Sequence, residues 1–76
     1  MRAGRDEVDL LVVHRGVLVA VEVKARHGAP PIEQFTDEQA VRLRRAAAAL
    51  GAARCDLITV RAGRRGVEIR WLPGVC

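Results

Sequence analysis

The chain has 76 residues, half of them hydrophobic, with Phe35 and Trp71 as its aromatics and a net charge of +4. That length fits one small domain whose core rests on Val, Ala and Leu, and the hydrophobic content excludes a disordered chain. The longest apolar runs, Val17 to Val21 and Ala46 to Leu50, are far too short to span a membrane.

A pI near 10.5 favours an acidic partner such as nucleic acid or anionic lipid, although an Arg- and Ala-rich composition also arises from genomic base bias. Cys55 and Cys76 form no CxxC motif and there is no secretory segment, so a reducing, cytoplasmic setting is expected. Cys55 reads as a small buried residue. His14 and His27 lie beside turns, and no His pair has metal-ligand spacing.

In chain order, "MRAGR" reads as a flexible basic start. Val8 to Val13 and Val17 to Lys24 are strands joined by the break "HRG", a β-hairpin pattern. Gly28, Pro30 and Pro31 mark a loop. Thr36 and Gln39 form a T-x-x-Q capping box in which each side chain satisfies a backbone N–H of the first turn. The helix "DEQAVRLRRAAAAL" follows, with Ala40, Leu43, Ala47 and Leu50 on one face and Gly51 to end it. "RCDLITV" is a third strand, "RAGRRG" a turn and "VEIRW" a fourth strand, with Pro73 and Gly74 ending the ordered part. The order β-β-α-β-β contains a βαβ unit, so the second and third strands should run parallel within a mixed four-stranded α/β sheet carrying one main helix.

The first hairpin carries the chemistry. With Arg15-Gly16 as the loop, Asp9 falls opposite Glu22 and Glu7 opposite Lys24, all on one face. Directly opposed carboxylates repel unless a hard cation lies between them. A lysine beside such an ion can orient a water or neutralise a phosphate, so the four residues suit a phosphodiesterase site. The plainer reading is a solvated polar face with Glu7–Lys24 as an ordinary cross-strand ion pair. Lys24 is the chain's single lysine beside twelve arginines, and Arg cannot readily lose its proton or act as a compact point charge.

"EVDLLVVHRGVLVAVEVKAR" resembles the core of the PD-(D/E)xK nuclease superfamily, with an acid on one strand and E-x-K on the next. It is more closely similar to the YraN family, whose members resemble Holliday junction resolvases. "DEVDLLV", "VEVKAR", "FTDEQAVRLRRAAAAL", "RCDLITV" and "VEIRWL" match that family's segments in order from about residue 4 to residue 72. The resemblance implies a truncated restriction-endonuclease-like core. Residues 1–76 would form a single domain without the family's first helix and first strand. One sheet face would then be partly uncovered, so that either the start is misassigned, or a partner such as a second copy in a homodimer covers the face, or the chain is a remnant. The resemblance also implies Asp9 and Glu22 as ligands of Mg²⁺ or Mn²⁺, the Val23 carbonyl as a further ligand, Lys24 as the catalytic lysine and Glu7 as a supporting acid. Arg26 matches the family's arginine after E-x-K, and Gln39 stands where the family usually has lysine.

The expected function is a Mg-dependent DNA endonuclease, with branched DNA as a candidate substrate. Arg15, Arg26, Arg42, Arg44 and Arg45 are its candidate phosphate contacts. The alternative is a non-catalytic DNA-binding or assembly module that keeps the fold.

Overall fold

The computed structural model describes residues 2–3, 6–28 and 35–76. The start "MRAGR" is covered only at Arg2 and Ala3, and Pro30 and Pro31 of the expected loop lie outside the described residues. In chain order the elements are β1 (Arg2–Ala3), β2 (Asp6–Glu7), β3 (Leu10–His14), β4 (Val17–His27), α1 (Asp37–Ala49), β5 (Arg54–Gly63) and β6 (Gly66–Leu72). β1 and β2 pair as a short antiparallel ribbon, and the main sheet has the order β3-β4-β5-β6. β4 and β5 are parallel while the outer pairs are antiparallel. The expected β-β-α-β-β core is present, and the ribbon is an addition to it.

The turn between β3 and β4 places Arg15 at φ 52° and Gly16 at φ 78°. Two successive left-handed residues match the twist of the flanking strands, which makes a two-residue hairpin loop favourable. The register then runs from His14 opposite Val17 to Leu10 opposite Val21, the pairing expected from the sequence.

Thr36 caps α1, with its Oγ1 accepting from the Gln39 N–H at 3.2 Å. The reciprocal half of the expected capping box is not made: Gln39 Oε1 is buried without a partner, because the side chain turns toward the cleft described below. Thr36→Ala should therefore cost about 1 kcal/mol, read as a lower urea midpoint with an unchanged slope.

Leu43, Ala46 and Ala47 of α1 pack on Ala20 of β4 and Cys55 of β5, with Val8 closing the cluster at 1% exposure. Alanines at this contact let the helix lie close to the sheet, and close packing supplies the dispersion energy of a core with few large side chains. Phe35, Leu50, Ala52, Val75 and Cys76 fill its margin.

The chain does not end its order at Gly74. The Val75 N–H donates to the Cys55 carbonyl at 2.9 Å, and burial beside Cys55 pushes the Cys76 thiol up to about 12. Asp56 draws this tail in. Its carboxylate accepts from Arg54 Nε and Nη2 at 2.9 and 3.1 Å, from Trp71 Nε1 at 2.8 Å and from the Gly74 N–H at 3.0 Å.

The sheet face opposite α1 leaves Leu10, Val12, Val17, Val67, Ile69 and Trp71 exposed. An uncovered sheet face was expected from the sequence. On it the His14 and Trp71 rings meet edge to face with centroids 5.4 Å apart, and Arg54 Nη2 lies 3.0 Å from His14 Nδ1.

Candidate active site

Side chains alternate along β4, so Glu22, Lys24 and Arg26 share the helix-side face with Ala20. The β3 ladder stops at Leu10, and the chain bends at Asp9. Asp9 Oδ2 instead accepts the Val23 N–H at 2.9 Å, a side-chain bond that replaces the next rung of the ladder. This bend sends Val8 into the core beneath α1 and leaves Asp9 against Glu22.

Glu22 and Asp9 interact directly, and the interaction raises the Glu22 pKa and lowers that of Asp9. Burial, joined by the Asp9 hydrogen bond and charge, raises Glu22 to about 7. The hydrogen bond from Glu22 holds Asp9 below its ordinary value. Near neutral pH the pair therefore shares a proton, as closely opposed carboxyls do.

A cleft of about 210 Å³ opens over Glu22. Glu22 and Lys24 lie along β4, Asp6 and Glu7 face them from the ribbon, and Gln39, Arg42 and Leu43 form the α1 wall. Glu7 reaches the cleft by a different route from the one expected. It lies opposite Arg2 in the ribbon rather than opposite Lys24 across the hairpin, because the bend at Asp9 ends the hairpin register.

The expected phosphate-contacting arginines divide. Arg42 lines the cleft, and Arg26 follows Lys24 on the same face of β4. Arg45 makes a two-pronged pair with Asp6, at 2.7 and 2.8 Å, that ties α1 to the ribbon. Arg15 occupies the β3–β4 turn at the far end of β4 from Lys24. Arg44 acts on Cys76 electrostatically, at the core margin rather than the cleft. Sequence reading missed Arg61 and Arg70, which cross-strand register places on the helix-side face, together with Arg64 and Arg65 at the β5–β6 turn.

Among the described residues no group of three or more His, Cys, Asp and Glu side chains converges on a metal-sized space. Two carboxylates still suit Mg²⁺, which is held by one or two acids and keeps several waters. The residues present fit such an ion in two respects. Asp9 and Glu22 are directly interacting acids, and a cation would relieve their repulsion. Gln39 Oε1, a buried acceptor without a partner in the same cleft, is suited to a bound water.

An acid at the end of one strand, E-x-K on its antiparallel neighbour and a parallel βαβ crossover define a nuclease-like core of the PD-(D/E)xK type. The model of the uncharacterised protein family UPF0102 matches residues 1–60, and the chain belongs to that family, the YraN-like group its motifs resemble. The chain is 45% identical over 69 residues to a UPF0102 protein of Caulobacter sp. (strain K31), in an alignment covering 78% of this chain and 50% of that protein. It thus spans about half the length of that relative. No solved structure matches the chain. Among the described residues no helix is long and apolar enough to cross a membrane.

The opposed acids carry a stability cost. The folded state holds Glu22 near 7 against an ordinary 4.5, so it favours the protonated carboxyl. Stability is full below about pH 4.5 and falls as pH rises through 7. At pH 8 without divalent metal, Glu22→Gln should stabilise the protein by about 1 kcal/mol after allowance for solvent screening. That corresponds to a melting temperature higher by roughly 4–8 °C, and thermal unfolding of both proteins at pH 4 and pH 8 measures it.

Proposed function

We propose that this domain is a divalent-metal-dependent DNA endonuclease that hydrolyses phosphodiester bonds, with branched DNA as substrate. The observation that carries the reading is Asp9, held at the end of the hairpin ladder by the Val23 N–H, set against Glu22, with Lys24 beside Glu22 in one cleft. Directly opposed acids are unfavourable for structure alone, and with an ammonium beside them they suit an ion and a phosphate.

Asp9, Glu22 and the Val23 carbonyl would hold Mg²⁺ or Mn²⁺. When bound, the ion supplies charge neutralisation at the scissile phosphate and acidifies a water. The Val23 N–H fixes the Asp9 carboxylate, and in an extended strand the carbonyl of the same residue points to the same edge. Lys24 positions the attacking water and stabilises charge developing on the phosphate oxygens. Gln39 Oε1 accepts a hydrogen from water in the cleft, and Glu7 serves as a supporting acid on the opposite wall. Arg42 and Arg26 contact the phosphates on either side of the scissile bond, and the leaving 3′ oxygen takes its proton from solvent.

The test is incubation of the purified protein with four-way junction, flap and linear duplex DNA in Mg²⁺ or Mn²⁺. Metal-dependent products that disappear with EDTA and with Asp9→Asn are expected. Cleavage that survives either treatment would sink the reading.

A non-catalytic DNA-binding module is the second reading. The basic residues beyond the cleft favour it, since they need no metal. It predicts salt-sensitive binding that survives Asp9→Ala, with no cleavage by either protein.

A further inference from the structure

Strand register carries the helix-side face of the sheet well beyond the cleft. Lys24 of β4 is level with Thr59 of β5, which is level with Arg70 of β6. The next row holds Arg26, Arg61 and Glu68. Level residues on neighbouring strands share a face at a strand spacing of about 4.8 Å, so Arg61 and Arg70 lie on the lysine's side of the sheet, one and two strands away.

β5 and β6 then continue to the pair Gly63–Gly66 and turn at Arg64 and Arg65. Arg61, Arg64, Arg65 and Arg70 are all exposed, and Glu68 is the hairpin's one acid beyond Thr59. The base of the hairpin is pinned to the end of β4. The Gly28 N–H donates to the Ala62 carbonyl at 2.9 Å, and Arg61 Nε donates to the Gly28 carbonyl at 3.0 Å. An open concavity at the tip is lined by Arg61, Arg64, Arg65 and Glu68.

Length and composition decide the ligand. From Leu57, level with Glu22, to Arg64 the strand covers about 23 Å, the rise of roughly seven base pairs of duplex DNA. The basic rows hold no aromatic side chain on which single-stranded bases could stack. Trp71 belongs to the opposite face, bonded to Asp56, and Phe35 packs on the core.

We propose that the β5–β6 hairpin is an arm that grips the phosphate backbone of duplex DNA through Arg61, Arg64, Arg65 and Arg70. The arm holds a duplex whose other end lies in the carboxylate cleft. The assignment rests on the nucleic-acid reading of that cleft and extends it to a substrate class. Contacts of this kind carry affinity without base choice and make binding steeply dependent on salt.

The experiment measures fluorescence anisotropy of a labelled duplex, and of a single strand of equal length, over a salt series without divalent metal. The protein is wild type, Glu68→Gln, or a triple variant with Arg64→Gln, Arg65→Gln and Arg70→Gln. The triple variant should flatten the slope of log affinity against log salt by about 2–3 and weaken duplex binding by at least about tenfold, a loss of roughly 1.4 kcal/mol. Glu68→Gln should tighten binding. Thermal unfolding checks that the triple variant folds; if it does not, Arg65→Gln alone should flatten the slope by about 1.

A wild-type slope in the folded variant, or single strand bound as tightly as duplex, would overturn the arm. If the wild type cleaves no DNA in Mg²⁺ yet the variant loses slope, the arm stands and the nuclease reading falls. If the wild type cleaves and the variant keeps its slope, the nuclease reading stands and the arm falls. Failure of the wild type to bind any nucleic acid would remove both.

Discussion

Lys24→Ala is expected to slow metal-dependent cleavage by about 10²–10³-fold, the range for loss of one group that stabilises charge developing in the transition state. Duplex affinity should change little, because the arm and Arg26 remain. Lys24 lines the cleft beside Glu22 on the same face of β4, so its loss removes a compact cation beside the acids. Lys24→Arg should fail to restore the rate. A guanidinium keeps the charge but spreads it over a planar fork that is differently placed on a longer stem. Single-turnover cleavage separates this loss from a binding defect. A Lys24→Ala protein that cuts at the wild-type rate would remove the lysine from the chemistry.

Asp56→Ala is expected to cost about 3 kcal/mol, the penalty for removing a buried carboxylate that satisfies several donors. A domain of this length has a total stability of only about 4–11 kcal/mol, so the variant should lose a large fraction of it and melt at a much lower temperature. The reason is convergence. One carboxylate, 2% exposed, binds Arg54 twice, the Trp71 indole and the Gly74 N–H. Its removal leaves donors from β5, β6 and the tail unpaired.

Burial alone would raise the Asp56 pKa, but the hydrogen bonds from Arg54, Gly74 and Trp71 outweigh it and hold the group at about 2. A depressed carboxyl stabilises the fold above its ordinary value of 3.8, and that stability is lost as pH falls through 2. The wild type should therefore lose about 2 kcal/mol between pH 4 and pH 2. Urea unfolding of wild type and Asp56→Asn over that range measures the loss, which should be much smaller in the variant. Parallel acid profiles would show that Asp56 is not the group responsible.

The parts of the fold legible in the sequence were those written in local chemistry. "HRGV" sets a two-residue turn, and period-two counting from it brings Asp9 toward Glu22. Thr36 and Gly51 bracket α1 because capping and left-handed backbone are short-range demands. Glu7 was misplaced across the hairpin because counting assumes an unbroken ladder. Asp9 breaks it by taking the Val23 N–H with its own side chain, a competition that strand patterning does not reveal. Gln39 reads as a capping residue by spacing alone. Its carboxamide turns instead to a cleft that exists only once β4 and the ribbon are assembled.

The tail was missed for a similar reason. Arg54 and Asp56 are two apart on one strand, so their pairing is visible in the sequence. The Gly74 N–H that completes the Asp56 shell comes from eighteen residues away. The basic rows of β5 and β6 have the same character. Arg61 and Arg70 become neighbours of the cleft only through the parallel register of β4 with β5.

The most direct measurement of the carboxylate site is the initial rate of four-way junction cleavage at pH 8 against Mg²⁺ concentration, for wild type and Glu22→Gln. Saturable, metal-dependent cleavage by the wild type is expected, with loss of about 10²-fold or more in Glu22→Gln although that variant is the more stable protein. Equal cleavage by both proteins at every metal concentration would contradict a metal site built on Asp9 and Glu22.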